Sequence, residues 1–159
     1  MASAIVTPEQ DAVVTEIDAA APPECVFAAI SHAEQLKRWW VPPICEETFW
    51  NMDARPSGKC SFATTPATQS INGVNEFKCR GEILEFVPPR LLVDSWIANG
   101  NDKPESVTVV RWDLTPIPGG TRVKVTHSGL AQQPTNRELY RGGWPGVIQN
   151  LQKYLERRA

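Results

Sequence analysis

The last segment of the chain, residues 135–158 (TNRELYRGGWPGVIQNLQKYLERR), constrains the fold more than any other. Trp144, Ile148, Leu151 and Leu155 recur at helical spacing in it. With 3.6 residues per turn, these four side chains form one apolar stripe on an α-helix. Most of the chain before this segment has the pattern of β-strands. We therefore predict one long C-terminal helix that packs its stripe on a sheet.

Seven segments have the alternation or composition of strands, and short turns containing proline or glycine connect most of them. They are residues 12–17, 45–53, 59–64, 74–86, 91–98, 107–114 and 121–127. Short connections of this kind are typical of antiparallel neighbours. Two short helical segments, around Val26–Ile30 and Leu36–Trp40, lie between the first strand and the second. The order predicts an α+β fold with a curved antiparallel sheet of about six to seven strands.

The length and composition are those of an ordinary globular domain. The 159 residues fit one domain, which we place at residues 12–159 after a flexible N-terminal segment, residues 1–11. With 42% hydrophobic residues and a net charge of −2, the chain is neither disordered nor typical of nucleic-acid binding. The N-terminus lacks the features of a signal peptide, and no apolar run is long enough to span a membrane. These features predict a cytoplasmic protein.

Cysteine and histidine residues do not have the spacing of a metal site. Cys25, Cys45, Cys60 and Cys79 include no C-x-x-C pair, and no histidine pair has H-E-x-x-H spacing. We predict reduced thiols, no metal and no other cofactor. The sequence leaves open whether the protein forms a homodimer.

Six tryptophans are many for this length, and they allow two interpretations. Each one could be part of a large aromatic core, which is the more frequent role of a single tryptophan. Alternatively, they line a cavity for an apolar ligand, because Trp40, Trp112 and Trp144 come from three different elements. On that interpretation the ligand-binding residues are Trp40, Trp50, Phe77, Ile83, Trp96, Trp112, Val125, His127, Trp144 and Ile148.

Two titratable residues occupy apolar faces of predicted strands. His127 ends its strand on the side of Val123 and Val125, and such a histidine is either a structural residue or an acid–base group. Asp94 shares a face with Leu92 and Trp96 if the alternation holds, and a buried carboxylate requires a partner. Neither role can be decided from spacing, and we assign no catalytic residue.

Several motifs occur in an order that resembles a known family. They are EIDAAAPPECVFAAISHAEQLKRWW, ARPSGKCSF, GEILEFVPPRLLVDSW, VTVVRWDLTPIPGGTRVKVTHSGL and GGWPGVIQNLQKYL. Together they resemble the START-like helix-grip superfamily (SRPBCC). The similarity is greatest to the branch related to the C-terminal domain of the heat-shock protein 90 ATPase activator. The resemblance covers about residues 13–155 and implies a curved antiparallel sheet around a long C-terminal helix, with a cavity between them.

Three functions are compatible with these observations. The first, motivated by the aromatic residues with His127 and Asp94, is binding of a small hydrophobic or aromatic ligand, or a lipid, in the cavity; the resemblance implies the other two. The second is a cyclase- or dehydratase-like enzyme in which His127 is the acid–base residue. The third is an interaction protein that stimulates a chaperone ATPase in a stress response.

Two residues depart from the family pattern: Lys59, where the family usually has a second glycine before the strand, and Pro145. Pro145 follows Gly143 and Trp144 where the family usually continues the helix. Because proline removes a helical N–H and clashes one turn back, we predict a kink or a new helix start near Gly143. Residues 136–141 would then form a separate turn, and Pro145–Arg158 would be the part that packs on the sheet.

Overall fold

The computed structural model describes residues 2–158 and confirms the predicted α+β helix-grip architecture. The strands are β1 (Ala4–Val6), β2 (Val13–Ala19), β3 (Thr48–Met52), β4 (Lys59–Thr64), β5 (Lys78–Val87), β6 (Leu91–Ala98), β7 (Thr108–Ile117) and β8 (Gly120–Ser128). The helices are α1 (Pro23–Ser31), α2 (Ala33–Trp39) and α3 (Pro134–Arg158). The two short helices therefore lie where the sequence placed them.

All eight strands form one antiparallel sheet in the order β1-β2-β8-β7-β6-β5-β4-β3. The sheet has one strand more than predicted, because β1 pairs with β2 within a stretch that has no strand pattern of its own. β5 also begins at Lys78 rather than at residue 74. Its register shifts between Ile83 and Glu85, so the alternation breaks there and two consecutive residues, Leu84 and Glu85, are exposed.

The core lies between the sheet and the apolar stripe of α3. Trp144, Ile148, Leu151 and Leu155 are each at most 4% exposed. Along the sheet, α3 packs against β2 and β1 at one edge. Because the helix lies near that edge, the strands towards the other edge are separated from its N-terminal half. This arrangement leaves room for a cavity on the side of β4 and β6.

The predicted new helix start near Gly143, with residues 136–141 as a separate turn, is wrong: one helix continues from Pro134 through Pro145 to Arg158. Its first turn is held by Asp102, whose Oδ2 accepts the N–H groups of Thr135 and Asn136 at 3.0 and 3.4 Å. The apolar stripe holds the other half on the sheet. Proline removes a single N–H from the helix, and these tertiary contacts on both sides of it keep the two halves in one helix.

None of the helices within residues 2–158 is both long enough and apolar enough to cross a membrane.

Candidate functional site

A cavity of about 430 Å³ lies between the N-terminal half of α3 and the sheet. Its walls come from residues 40–44 after α2, from β4, from β6 with residues 99–101 that follow it, and from one side of α3 between Asn136 and Asn150. Ile71 and Phe77, in the connection from β4 to β5, complete the lining. A volume of this size is typical of sites for small organic molecules.

Three tryptophans from three elements form the inner wall of this cavity. Trp40 directly follows α2 as its C-cap residue, Trp96 lies on β6 and Trp144 lies on α3. The rings of Trp40 and Trp96 are stacked, with centroids 5.7 Å apart and an interplanar angle of 11°. The ring of Trp144 meets that of Trp40 edge to face at 5.4 Å. Because the rings support one another, the wall is formed by the packing of the protein itself.

The lining is chemically simple. It contains aromatic, aliphatic and glycine residues, with the polar groups Thr64, Asn99, Asn101, Asn136, Tyr140 and Asn150. It includes no Asp, Glu, Lys, Arg or His side chain. The arrangement can therefore hold an apolar molecule and donate or accept hydrogen bonds. It offers no group with the pKa of a general acid or base at neutral pH.

His127 lies outside this lining and is fully buried, with 0% exposure. Its Nδ1 accepts the indole N–H of Trp144 at 3.1 Å, so Nε2 carries the hydrogen and donates to the Thr108 hydroxyl at 2.9 Å. Thr108 in turn donates to the Trp96 carbonyl at 2.6 Å. Burial lowers the pKa of His127 to about 3. His127 is thus a neutral residue that fixes Trp144 and joins β8 to α3.

Asp94 lines a second, much smaller cavity of about 20 Å³, together with Cys60, Cys79, Trp50 and Trp112 among others. That volume is enough for one water molecule. Asp94 faces inward, as its alternation with Leu92 and Trp96 suggested, and it is 7% exposed. Its carboxyl group makes no hydrogen bond to another residue between 2 and 158. Burial raises the pKa of Asp94 to about 8, so the group is mostly protonated at neutral pH.

The structure brings together some of the ten residues predicted to bind a ligand. Trp40, Phe77, Trp96 and Trp144 line the large cavity, while Trp50 and Trp112 line the small one, to which Trp40 and Trp96 also contribute. The remaining four are core residues that line neither cavity: Ile83, Val125, His127 and Ile148.

The ten predicted residues do not include most of the polar side chains of the lining, nor the face of α3 that borders the cavity. Asn136, Tyr140, Val147 and Asn150 lie on α3 beside the apolar stripe, and their spacing of four, seven and three residues is compatible with one helical face. That spacing was a usable signal. No sequence pattern predicted Asn101 in the lining, because the position of a loop residue depends on how the whole chain folds.

Within residues 2–158 there is no group of three or more His, Cys, Asp or Glu side chains that could hold a metal ion.

Comparison with known proteins identifies a family and a shared fold. The family described as Activator of Hsp90 ATPase homolog 1-like protein matches residues 20–156. No curated protein matches the sequence.

Solved structures with the same fold come from several sources. A Rhodobacter sphaeroides protein is 17% identical, with a TM-score of 0.79 over 98% of this chain and 99% of that one. A Chromobacterium violaceum protein is 23% identical, with a TM-score of 0.74 over 92% and 98%. DynU16, whose structure is described as that of a protein in the dynemicin biosynthetic locus, is 17% identical, with a TM-score of 0.70 over 92% of this chain and 47% of that one.

Proposed function

This chain belongs to the Activator of Hsp90 ATPase homolog 1-like family, and we propose that it binds a small apolar or aromatic molecule between α3 and the sheet. The observation that carries the proposal is the 430 Å³ cavity with an aromatic inner wall and no charged side chain in its lining. Such a wall is suited to binding and orienting a molecule through apolar contact and hydrogen bonds.

The energetics favour an aromatic or alicyclic ligand. Apolar surface removed from water contributes roughly 25 cal/mol per Å². Rings that stack on or meet the edge of an indole add about 0.5–1.5 kcal/mol per pair. Because Trp40 and Trp144 are both less than 10% exposed, little side-chain entropy remains to be lost on binding.

A pair of matched valine substitutions tests the proposal. Val147 lines the cavity, so Val147→Trp should fill part of it and weaken the binding of 2-ethylnaphthalene at least tenfold in isothermal titration calorimetry. Val107 is 58% exposed and lies outside the lining, so Val107→Trp should leave the affinity unchanged. Equal affinities for the two variants, or no binding by the wild-type protein, would refute the proposal.

The enzymatic alternative depends on His127, and its geometry gives that alternative little support. A general acid or base must reach the proton that it transfers. Both ring nitrogens of His127 are already bonded within the protein, and the side chain does not line the cavity.

The chaperone alternative is favoured by one observation, the description of the family, which names an activator of the Hsp90 ATPase. The direct test is the ATPase rate of purified Hsp90 with and without this protein. An increased rate that Val147→Trp leaves intact would assign that function to a surface other than the cavity.

A further inference from the structure

We propose that the cavity selects molecules that carry an uncharged hydrogen-bond acceptor, such as a ketone or quinone carbonyl, and that Trp96, Tyr140 and Asn101 recognise this acceptor. The inference rests on the proposed function and narrows its ligand class. It is carried by the hydrogen-bonding state of these three side chains, all of which line the cavity.

Two donors in the cavity wall lack partners. The Tyr140 hydroxyl donates to Asn101 Oδ1 at 2.7 Å. Asn101 Nδ2 and Trp96 Nε1 are both buried and form no hydrogen bond within residues 2–158. Asn101 is only 1% exposed, and neither nitrogen has appreciable accessible surface, so water does not satisfy them. An acceptor in the cavity would reach them after a shift of the Asn101 and Trp96 side chains. A buried donor without a partner is unfavourable, and an acceptor supplied by a ligand would relieve that cost.

The unpaired donor persists whichever way the Asn101 amide is turned. Rotating the amide by 180° would let Nδ2 donate to the Tyr140 oxygen. The hydroxyl hydrogen of Tyr140 would then lose its acceptor, because Asn101 Oδ1 would point away from it. The Trp96 N–H lies near the same hydroxyl without hydrogen-bond geometry. In both orientations, therefore, this part of the wall has a hydrogen to donate.

The acceptor is uncharged because the cavity has no cationic side chain to pair with an anion. A carboxylate that lost its water there would remain an unpaired buried charge, which is far more costly than a buried carbonyl. A carbonyl accepts two hydrogen bonds without a net charge. The preferred ligand thus combines an apolar ring system, next to Trp40 and Trp144, with a carbonyl group directed at Trp96 and Asn101.

Three naphthalenes of similar shape test whether the cavity prefers a carbonyl group, an alkyl group or a carboxylate. They are 2-acetylnaphthalene, 2-ethylnaphthalene and 2-naphthoate, which present a carbonyl, an alkyl group and a carboxylate in the same position. In calorimetric titrations of the full chain, we expect the ketone to bind about five- to tenfold more tightly than the ethyl compound. We expect 2-naphthoate to bind more weakly than both.

Two variants test whether Asn101 and Trp96 cause the preference for the ketone over the ethyl compound. Asn101→Asp replaces the two amide hydrogens by an acceptor, and it should reduce the ratio of the ethyl and ketone dissociation constants to about one. Trp96→Phe removes the other donor and should lower the ratio independently, so the test remains valid if Asn101→Asp does not fold. Asn51→Asp, an exposed site on β3 outside the cavity, is the matched control and should keep the wild-type ratio.

The outcomes distinguish this inference from the proposed function. Equal binding of the ketone and the ethyl compound would overturn the inference and leave the proposed function standing. Tightest binding of 2-naphthoate would overturn the requirement for an uncharged group. A wild-type protein that binds none of the three would overturn the proposed function, and this inference with it.

Discussion

At the scale of single residues, the main finding is that buried polar groups in this protein have unequal hydrogen-bonding states. His127 is satisfied at both nitrogens by Trp144 and Thr108. Asp94, on the same side of the sheet, makes no hydrogen bond within residues 2–158 and keeps its proton at neutral pH because of burial. A satisfied buried group fixes structure, whereas one without partners makes stability depend on pH.

Asp94 should make the protein less stable as the pH rises. Its pKa is about 8 in the folded protein and ordinarily 3.8, so the unfolded chain releases the proton first. Between about pH 4 and pH 8 the folded state binds more protons, and the free energy of unfolding falls. We expect Asp94→Asn, which remains neutral, to stabilise the protein by about 4–6 kcal/mol at pH 8 and by little at pH 4.

Urea unfolding curves at several pH values measure this difference. Glu156→Gln is a suitable control, because it removes an exposed carboxylate from the end of α3 and should shift stability equally little at both pH values. If the advantage of Asp94→Asn did not grow with pH, the Asp94 carboxyl would be ionised in the folded state.

Burial of His127 acts at the acidic end of the pH range. Its pKa is lowered to about 3 in the folded protein from an ordinary 6.5, so the unfolded chain takes up a proton first as the pH falls. The stability that comes from neutral, buried His127 is therefore fully present above pH 6.5 and is lost as the pH falls towards 3.

At the scale of elements, α3 has two functions along its length. Its C-terminal half carries the apolar stripe that packs on the sheet. Its N-terminal half lines the cavity and contains Gly142, Gly143 and Gly146, around which an added Cβ would meet no atom within 4 Å. Glycine in a helix interior costs roughly 0.5–1 kcal/mol relative to alanine. The helix therefore carries glycines where side chains would narrow the cavity.

Substitution of two of these glycines should separate stability from binding. We expect the double variant Gly142→Ala with Gly146→Ala to raise the free energy of unfolding by about 1–2 kcal/mol and to weaken binding of 2-acetylnaphthalene severalfold. Gln149→Ala, which increases helix propensity outside the cavity lining, serves as the control and should leave binding unchanged. Unchanged binding in the glycine variant would show that these positions do not limit the cavity.

At the scale of the whole molecule, the cavity lies between two halves of the sheet that make different contacts with α3. β1 and β2 pack against the helix, whereas β4 and β6 contribute the opposite cavity wall. A ligand in the cavity would therefore connect the N-terminal half of α3 to strands that it otherwise does not approach closely. Binding should stabilise the fold as a unit.

Ligand should raise the melting temperature by an amount that its affinity determines. At a free concentration one hundred times the dissociation constant, the gain is about 2.7 kcal/mol. For a domain of this size, that gain corresponds to roughly 5–10 °C. Differential scanning calorimetry with 2-acetylnaphthalene would measure the shift. Val147→Trp should reduce it, and a shift of the same size in that variant would place the ligand outside the cavity.

The sequence alone determined the fold and the stripe of α3, because both depend on local periodicity. Trp144, Ile148, Leu151 and Leu155 lie in the core because helical spacing puts them on one side. The family was indicated in a different way, by the resemblance of the ordered motifs to a known family. Four of the ten predicted ligand-binding residues line the large cavity.

Only the tertiary structure decided what the polar residues do. From the sequence alone, His127 could be an acid–base group or a structural residue. Its hydrogen bonds with Trp144 and Thr108, 17 and 19 residues away, make it structural. Asn101 meets Tyr140 across 39 residues. Asp102 holds the first turn of α3 across 33 residues, and with the buried stripe on the other side of Pro145 it keeps α3 in one helix. Spacing predicts which residues share an element, but hydrogen bonds between distant elements depend on how the chain closes on itself.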